Sequence, residues 1–112
     1  MELLWKTSNG ENPRGLYRIY FIAHPDEYEK CLEELSSDIF KQASCAVWYK
    51  SDPAESIESD ILSSFNLIVV GVTRRFLCEE NIGRDVELSI VTRSNIPVIP
   101  QLQEKGQSRS EK

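Results

Sequence analysis

Phe65-Asn66-Leu67-Ile68-Val69-Val70-Gly71-Val72-Thr73 decides the fold class. Residues 67–72 form the most continuous apolar run of the chain, the pattern of a central strand buried on both faces of a parallel sheet. Upstream, Leu16-Tyr17-Arg18-Ile19-Tyr20-Phe21-Ile22-Ala23 is aromatic and β-branched with one charge, and reads as a second such strand. Cys45-Ala46-Val47-Trp48-Tyr49 reads as a third. Ile96-Pro97-Val98-Ile99-Pro100 reads as the last, and its prolines, lacking ladder donors, suit an edge or a strand start.

Helical patterns fill the gaps. After His24, Pro25 fits a first helical position, with Asp26 and Glu27 in the first turn, where the helix dipole favours acids. Tyr28, Cys31, Leu32, Leu35 and Ile39 then recur at spacings of three and four, predicting a helix over 25–42. Asp52-Pro53-Ala54-Glu55 carries the signature of a helix start, with Asp52 as cap and Ile57, Ile61, Leu62 and Phe65 as the apolar face. A third helix is expected over 81–94, around Val86, Ile90 and Val91. Strands alternating with helices predict an α/β fold, a parallel sheet of about four strands with helices on both faces. Ligands of such sheets bind outside the carboxyl ends of the strands. Those ends fall near Ala23-His24, Tyr49-Lys50, Gly71-Thr73 and Gln101.

Composition narrows the function. A chain of 112 residues holds one domain, expected over 16–102, with an N-terminal extension at 1–15 and a polar tail at 103–112. The net charge of −5 argues against a nucleic-acid partner. No apolar stretch approaches a membrane span, and the N-terminus lacks the apolar core of a secretion signal. Cys31, Cys45 and Cys78 have no C-x-x-C spacing, so reduced thiols and a cytoplasmic location are expected. His24 is the sole histidine, which disfavours a histidine-based metal site, and no cofactor is expected. No glycine-rich dinucleotide or P-loop motif occurs, and no aspartate ends the run at 67–72 as a phospho-acceptor would require.

The ordered set of motifs resembles the TIR (Toll/interleukin-1 receptor) family, in its bacterial branch, over roughly residues 16–102. Residues 17–28 resemble the opening strand and acidic helix, and Cys45–Tyr49 with Ser51-Asp52 the second strand running into the BB loop. Phe65–Thr73 resembles the third strand, Arg84-Asp85-Val86-Glu87-Leu88 the helix with the family's catalytic glutamate, and Asn95–Pro100 the strand after it. The resemblance implies a flavodoxin-like three-layer sheet and cleavage of NAD as substrate, in bacterial defence or signalling. It also implies self-association, centred on Lys50–Ser59. The family's loop tryptophan is replaced by Leu77-Cys78-Glu79-Glu80-Asn81, and its further helix, fifth strand and closing helix have no counterpart before the chain turns polar at Gln103, so the domain is expected to be truncated at its C-terminal end. In the family's order the strand at Leu16 lies between those at Cys45 and Leu67, and the strand at Ile96 is an exposed edge. Leu3-Leu4-Trp5 is the apolar cluster available to cover that end.

The implied chemistry needs little machinery. Nicotinamide leaves NAD as a neutral base, so no proton is needed, and positive charge develops on the ribose. One carboxylate beside the sugar stabilises that charge. Glu87 borders the apolar stripe between Ile90 and Val91, and the resemblance makes it the catalytic residue; an early helical turn would also favour it through the dipole alone. The substrate-binding candidates are Ala23, His24, Trp48, Asp52 and Arg74. Trp48 is either a core ring or a surface for nicotinamide, His24 either a ribose contact or a turn residue, and Arg74 and Arg75 either diphosphate contacts or surface charges. The alternative function is a non-enzymatic TIR interaction module.

Overall fold

The computed structural model describes residues 2–42, 44–52, 55–78 and 82–102, with burial described for all of these except 25, 82–84 and 102. The chain is α/β. Five strands, β1 (Leu3–Lys6), β2 (Tyr17–Ile22), β3 (Cys45–Lys50), β4 (Leu67–Val72) and β5 (Val98–Leu102), form one sheet in the order β1-β3-β2-β4-β5. β2 pairs in parallel with β3 and β4, and β4 with β5. β1 runs antiparallel to β3, so the sheet is mixed, not the wholly parallel four-stranded sheet expected.

Two cores flank β2, and strand periodicity assigns them. Ile19, Phe21 and Ala23 face one side with Cys45, Val47 and Val69, under Tyr28, Cys31, Leu32 and Leu35 of α1 (Tyr28–Ile39). Tyr20 and Ile22 face the other with Ile68 and Val70, under Ile57, Leu62, Phe65, Phe76 and Val91. This second side is covered by α2 (Ser59–Leu62), α3 (Arg74–Cys78) and α4 (Ile82–Arg93). Gly71 permits the close approach of α1: a Cβ there would lie 3.4 Å from the Cys31 Cβ and the Phe21 ring.

The departures from expectation have local causes. The first helix opens as a 3-10 turn at Pro25–Glu27 before α1. The second shrinks to one turn whose cap, Glu58, is extended; Asp52 instead begins a turn, accepting a hydrogen bond from Glu55 N at 3.0 Å. Pro53 and Ala54, the expected helix start, lie outside the described residues, as do Glu79 to Asn81 and the polar tail 103–112. Helix α3 was unforeseen. Thr73 caps it, its hydroxyl accepting Phe76 N–H at 3.1 Å. The last strand starts at Val98, with the Pro97 carbonyl accepting from Ile68 N. Backbone groups alternate sides along a strand, so Ile99 and Gln101 also face β4 while Pro100 faces outward. Pro100 therefore removes no bond from the ladder.

Leu3–Trp5 does not cover the β5 end. It forms the opposite edge of the sheet, where Leu3 joins the second core and Ser51 N donates to Glu2 O. Val98 and Ile99 stay 43% and 49% exposed on the two faces of β5. Deleting residues 1–6 strips β3 of its antiparallel neighbour and uncovers the edge of the second core that Leu3 covers. The urea midpoint of the shortened chain should fall clearly; an unchanged midpoint would mean that β1 adds nothing to the sheet.

Candidate functional site

Four segments converge on one carboxylate. Glu87 lies one turn before Val91 on α4, which turns both toward the second core. Lys50, the last residue of β3, shares its parity with Trp48 and projects to the same side. Tyr20 rises from the middle of β2. Ile57 lies in the connection between β3 and α2. Glu87 Oε1 accepts from Lys50 Nζ at 2.9 Å, and Oε2 from Tyr20 OH at 2.7 Å and Ile57 N at 2.8 Å. Lys50 Nζ donates as well to the Glu55 carbonyl. Glu87 is only 1% exposed, and Lys50 is buried with it.

This arrangement explains the short α2. Residues 55 and 57 present a carbonyl and an amide to the buried pair, so those groups are not available to a helix. It also bears on the dipole-only reading of Glu87. A glutamate placed for the dipole alone would stay in water, whereas this one is enclosed and hydrogen-bonded on both oxygens. Removing one member of a buried ion pair leaves the other uncompensated and costs about 3–5 kcal/mol.

The other candidates lie elsewhere. The three described partners of Glu87 are Tyr20, Lys50 and Ile57, and none of Ala23, His24, Trp48, Asp52 or Arg74 is among them. Ala23 turns its side chain into the α1 core. Trp48 leans toward the amino ends of β2 and β4: its ring packs edge-on to Phe65 at 6.3 Å, and the Arg18 guanidinium lies 4.7 Å over it. Arg18 also lies 4.6 Å from the Phe65 centroid and donates to the Ser64 carbonyl and hydroxyl. Asp52 and Arg74 are exposed at the carboxyl ends of β3 and β4.

His24 is buried, not a partly exposed turn residue. Its Nδ1 accepts the Asp26 N–H at 3.0 Å, which leaves the proton of the neutral ring on Nε2. It flanks the crevice where the chain switches from one side of β2 to the other, opposite Thr73 at the end of β4. That rim is tied together: Thr73 donates to Glu27 at 2.5 Å, and Arg75 pairs with Asp26 at 2.8 Å on the surface. Among the described residues no group of three or more His, Cys, Asp or Glu side chains is placed to hold a metal ion.

Sequence reasoning missed Tyr20 and Lys50. A signal existed for Lys50, a charge in phase with Trp48 at the end of an apolar strand. For Tyr20 it was a polar tip inside a run buried on both faces.

Tyr20 gives the cluster a pH signature. Burial first, then the Glu87 charge and hydrogen bond, push its phenol far above the ordinary 10.0. Burial pushes Tyr28 up as well. The native state therefore keeps these protons where the unfolded chain, above pH 10, loses them. Their contribution to stability is complete below pH 10 and is lost as pH rises further, by about 1.4 kcal/mol per pH unit for each such tyrosine. Tyr20→Phe should make the fall in denaturation midpoint between roughly pH 9 and pH 11 shallower by that share. Equal slopes in the two proteins would show that Tyr20 is not held neutral by the fold.

No family model, no curated protein and no solved structure matches this chain, so the site is read from its own geometry.

Proposed function

We propose that the chain is a TIR-type domain, flavodoxin-like in its β2–β5 portion, that cleaves the nicotinamide–ribose bond of NAD in bacterial defence or signalling. The observation that carries this reading is the buried Glu87 carboxylate at the carboxyl end of β3, held with Lys50 and Tyr20. Well-packed apolar residues would serve stability as well as a buried ion pair does, and clusters of buried titratable groups mark functional sites. The position is also where parallel sheets bind ligands.

In this reading the C1′–N1 bond breaks and its electron pair leaves with neutral nicotinamide. Glu87 stabilises the cationic ribose, and water adds at C1′ and releases a proton. Substrate reaches Oε2 only when the Ile57 amide releases it. His24 and Arg74, at the carboxyl ends of the neighbouring strands, are the side chains assigned to the ribose and the diphosphate.

A second reading, a non-enzymatic TIR module acting through self-association, draws on the same geometry. Both carboxylate oxygens are occupied, and an ammonium 2.9 Å away offsets the charge that a ribose cation would need. Lys50 and Ile57 also turn inward, which leaves the rest of the Lys50–Ser59 segment to make any contact.

The assay must separate chemistry from folding, because Glu87→Ala strands a buried lysine. The double variant Lys50→Met/Glu87→Gln removes both charges together, and its fold is checked by its thermal midpoint. Wild-type protein should release nicotinamide from NAD and the folded double variant should not. Equal slow loss of NAD with both proteins would end the enzymatic reading and leave the module.

A further inference from the structure

The two edges of the sheet are finished differently. On β5 the backbone groups facing outward belong to Val98, Pro100 and Leu102, because Pro97 and Ile99 face β4. Pro100 has no N–H, so that edge offers a broken row of donors. On β1 the Glu2 carbonyl turns toward Ser51, so Leu4 and Lys6 face β3 while Leu3 and Trp5 face outward. No proline interrupts this edge. Leu4 and Trp5 are 38% and 39% exposed along it.

We propose that β1 pairs with β1 of a second copy of this chain, antiparallel about a two-fold axis at Leu4. The backbone phase permits this register. Leu3 of one copy stands opposite Trp5 of the other, and both point their N–H and C=O outward, so each such pair exchanges two hydrogen bonds. Symmetry supplies the pair twice. Leu4 meets Leu4 of the second copy in the closely spaced position between them. Glu2 then stands opposite Lys6 of the second copy, again twice, in positions where opposite charges stabilise a sheet.

Other registers lose this fit. An axis at Trp5 sets Lys6 against Leu4 and Glu2 against Ser8, beyond the strand. An axis at Leu3 sets Glu2 against Leu4, again away from Lys6. The hydrogen-bond phase allows all three axes, and the Glu2–Lys6 pairing with the Leu4–Leu4 contact selects Leu4. The contact joins two five-stranded sheets into one and is independent of the activity proposed for Glu87. It is small, about five residues a side against the 20–30 of a standard interface, so association should be reversible, with a dissociation constant on the order of 10–100 μM.

Sedimentation of the full chain over a wide concentration range tests this. Wild type should shift reversibly from one chain to two. Glu2→Lys sets like charges opposite each other at both ends of the contact and should weaken association about tenfold. Lys6→Glu should do the same, and the double variant Glu2→Lys/Lys6→Glu should restore it. Thermal midpoints of dilute samples confirm that each variant keeps its fold. A monomer at every concentration, association unaffected by Glu2→Lys, or failure of the double variant to restore it would each overturn the pairing.

Discussion

The structure depends on one carboxylate being fully satisfied out of water. Glu87 joins β2 through Tyr20, β3 through Lys50 and the β3–α2 connection through Ile57. A carboxylate buried without those donors would cost several kcal/mol and would not stay in the core. With them it acts as a cross-brace between α4 and the sheet. The second core is otherwise apolar, and this polar contact adds a directional constraint to it, the Ile57 N–H being the donor whose direction the backbone fixes.

The same contact shapes the chain around it. The connection after β3 carries helix-start signals at Asp52 and Glu55, yet only one helical turn forms, at Ser59–Leu62. The Glu55 carbonyl and Ile57 amide are committed to Lys50 and Glu87, and a tertiary demand of several kcal/mol outweighs a local preference of about 1 kcal/mol. The rim around His24 is built with smaller forces. The exposed Arg75–Asp26 pair contributes little by itself, whereas the Thr73 hydroxyl both caps α3 and holds Glu27, fixing the two strand ends that border the crevice.

What the sequence disclosed followed the range of each interaction. Residues 67–72 and 45–49 announced their strands because burial on two faces leaves a continuous apolar run, and β4 occupies Leu67–Val72 as read. Alternation of patterns disclosed the α/β class. Glu87 stood out because a charge on an apolar stripe is visible in a helical wheel. Its partners did not, since Tyr20 and Lys50 lie 67 and 37 residues away and no local pattern links them. Strand β1 shows in the sequence only as an apolar cluster, since four residues establish no period, and its partner strand is distant in the chain. The place of Trp48 in its strand points to the carboxyl end, but its ring leans the other way, onto Phe65 under Arg18.

The separations of 67, 37 and 30 residues between Glu87 and its donors also set an order of events during synthesis. Strands β2 and β3 are synthesised well before α4, and β4, which ends at Val72, shortly before α4 starts at Ile82. Until residue 87 emerges, Tyr20 lacks its acceptor and Lys50 its counter-charge, with only the Glu55 carbonyl beside the ammonium. Helix α4 thus brings the last member of the polar cluster. A nascent chain halted before it has Leu62, Phe65 and Phe76 to set against Ile22, Ile68 and Val70, but lacks the α4 cover of Leu88 and Val91.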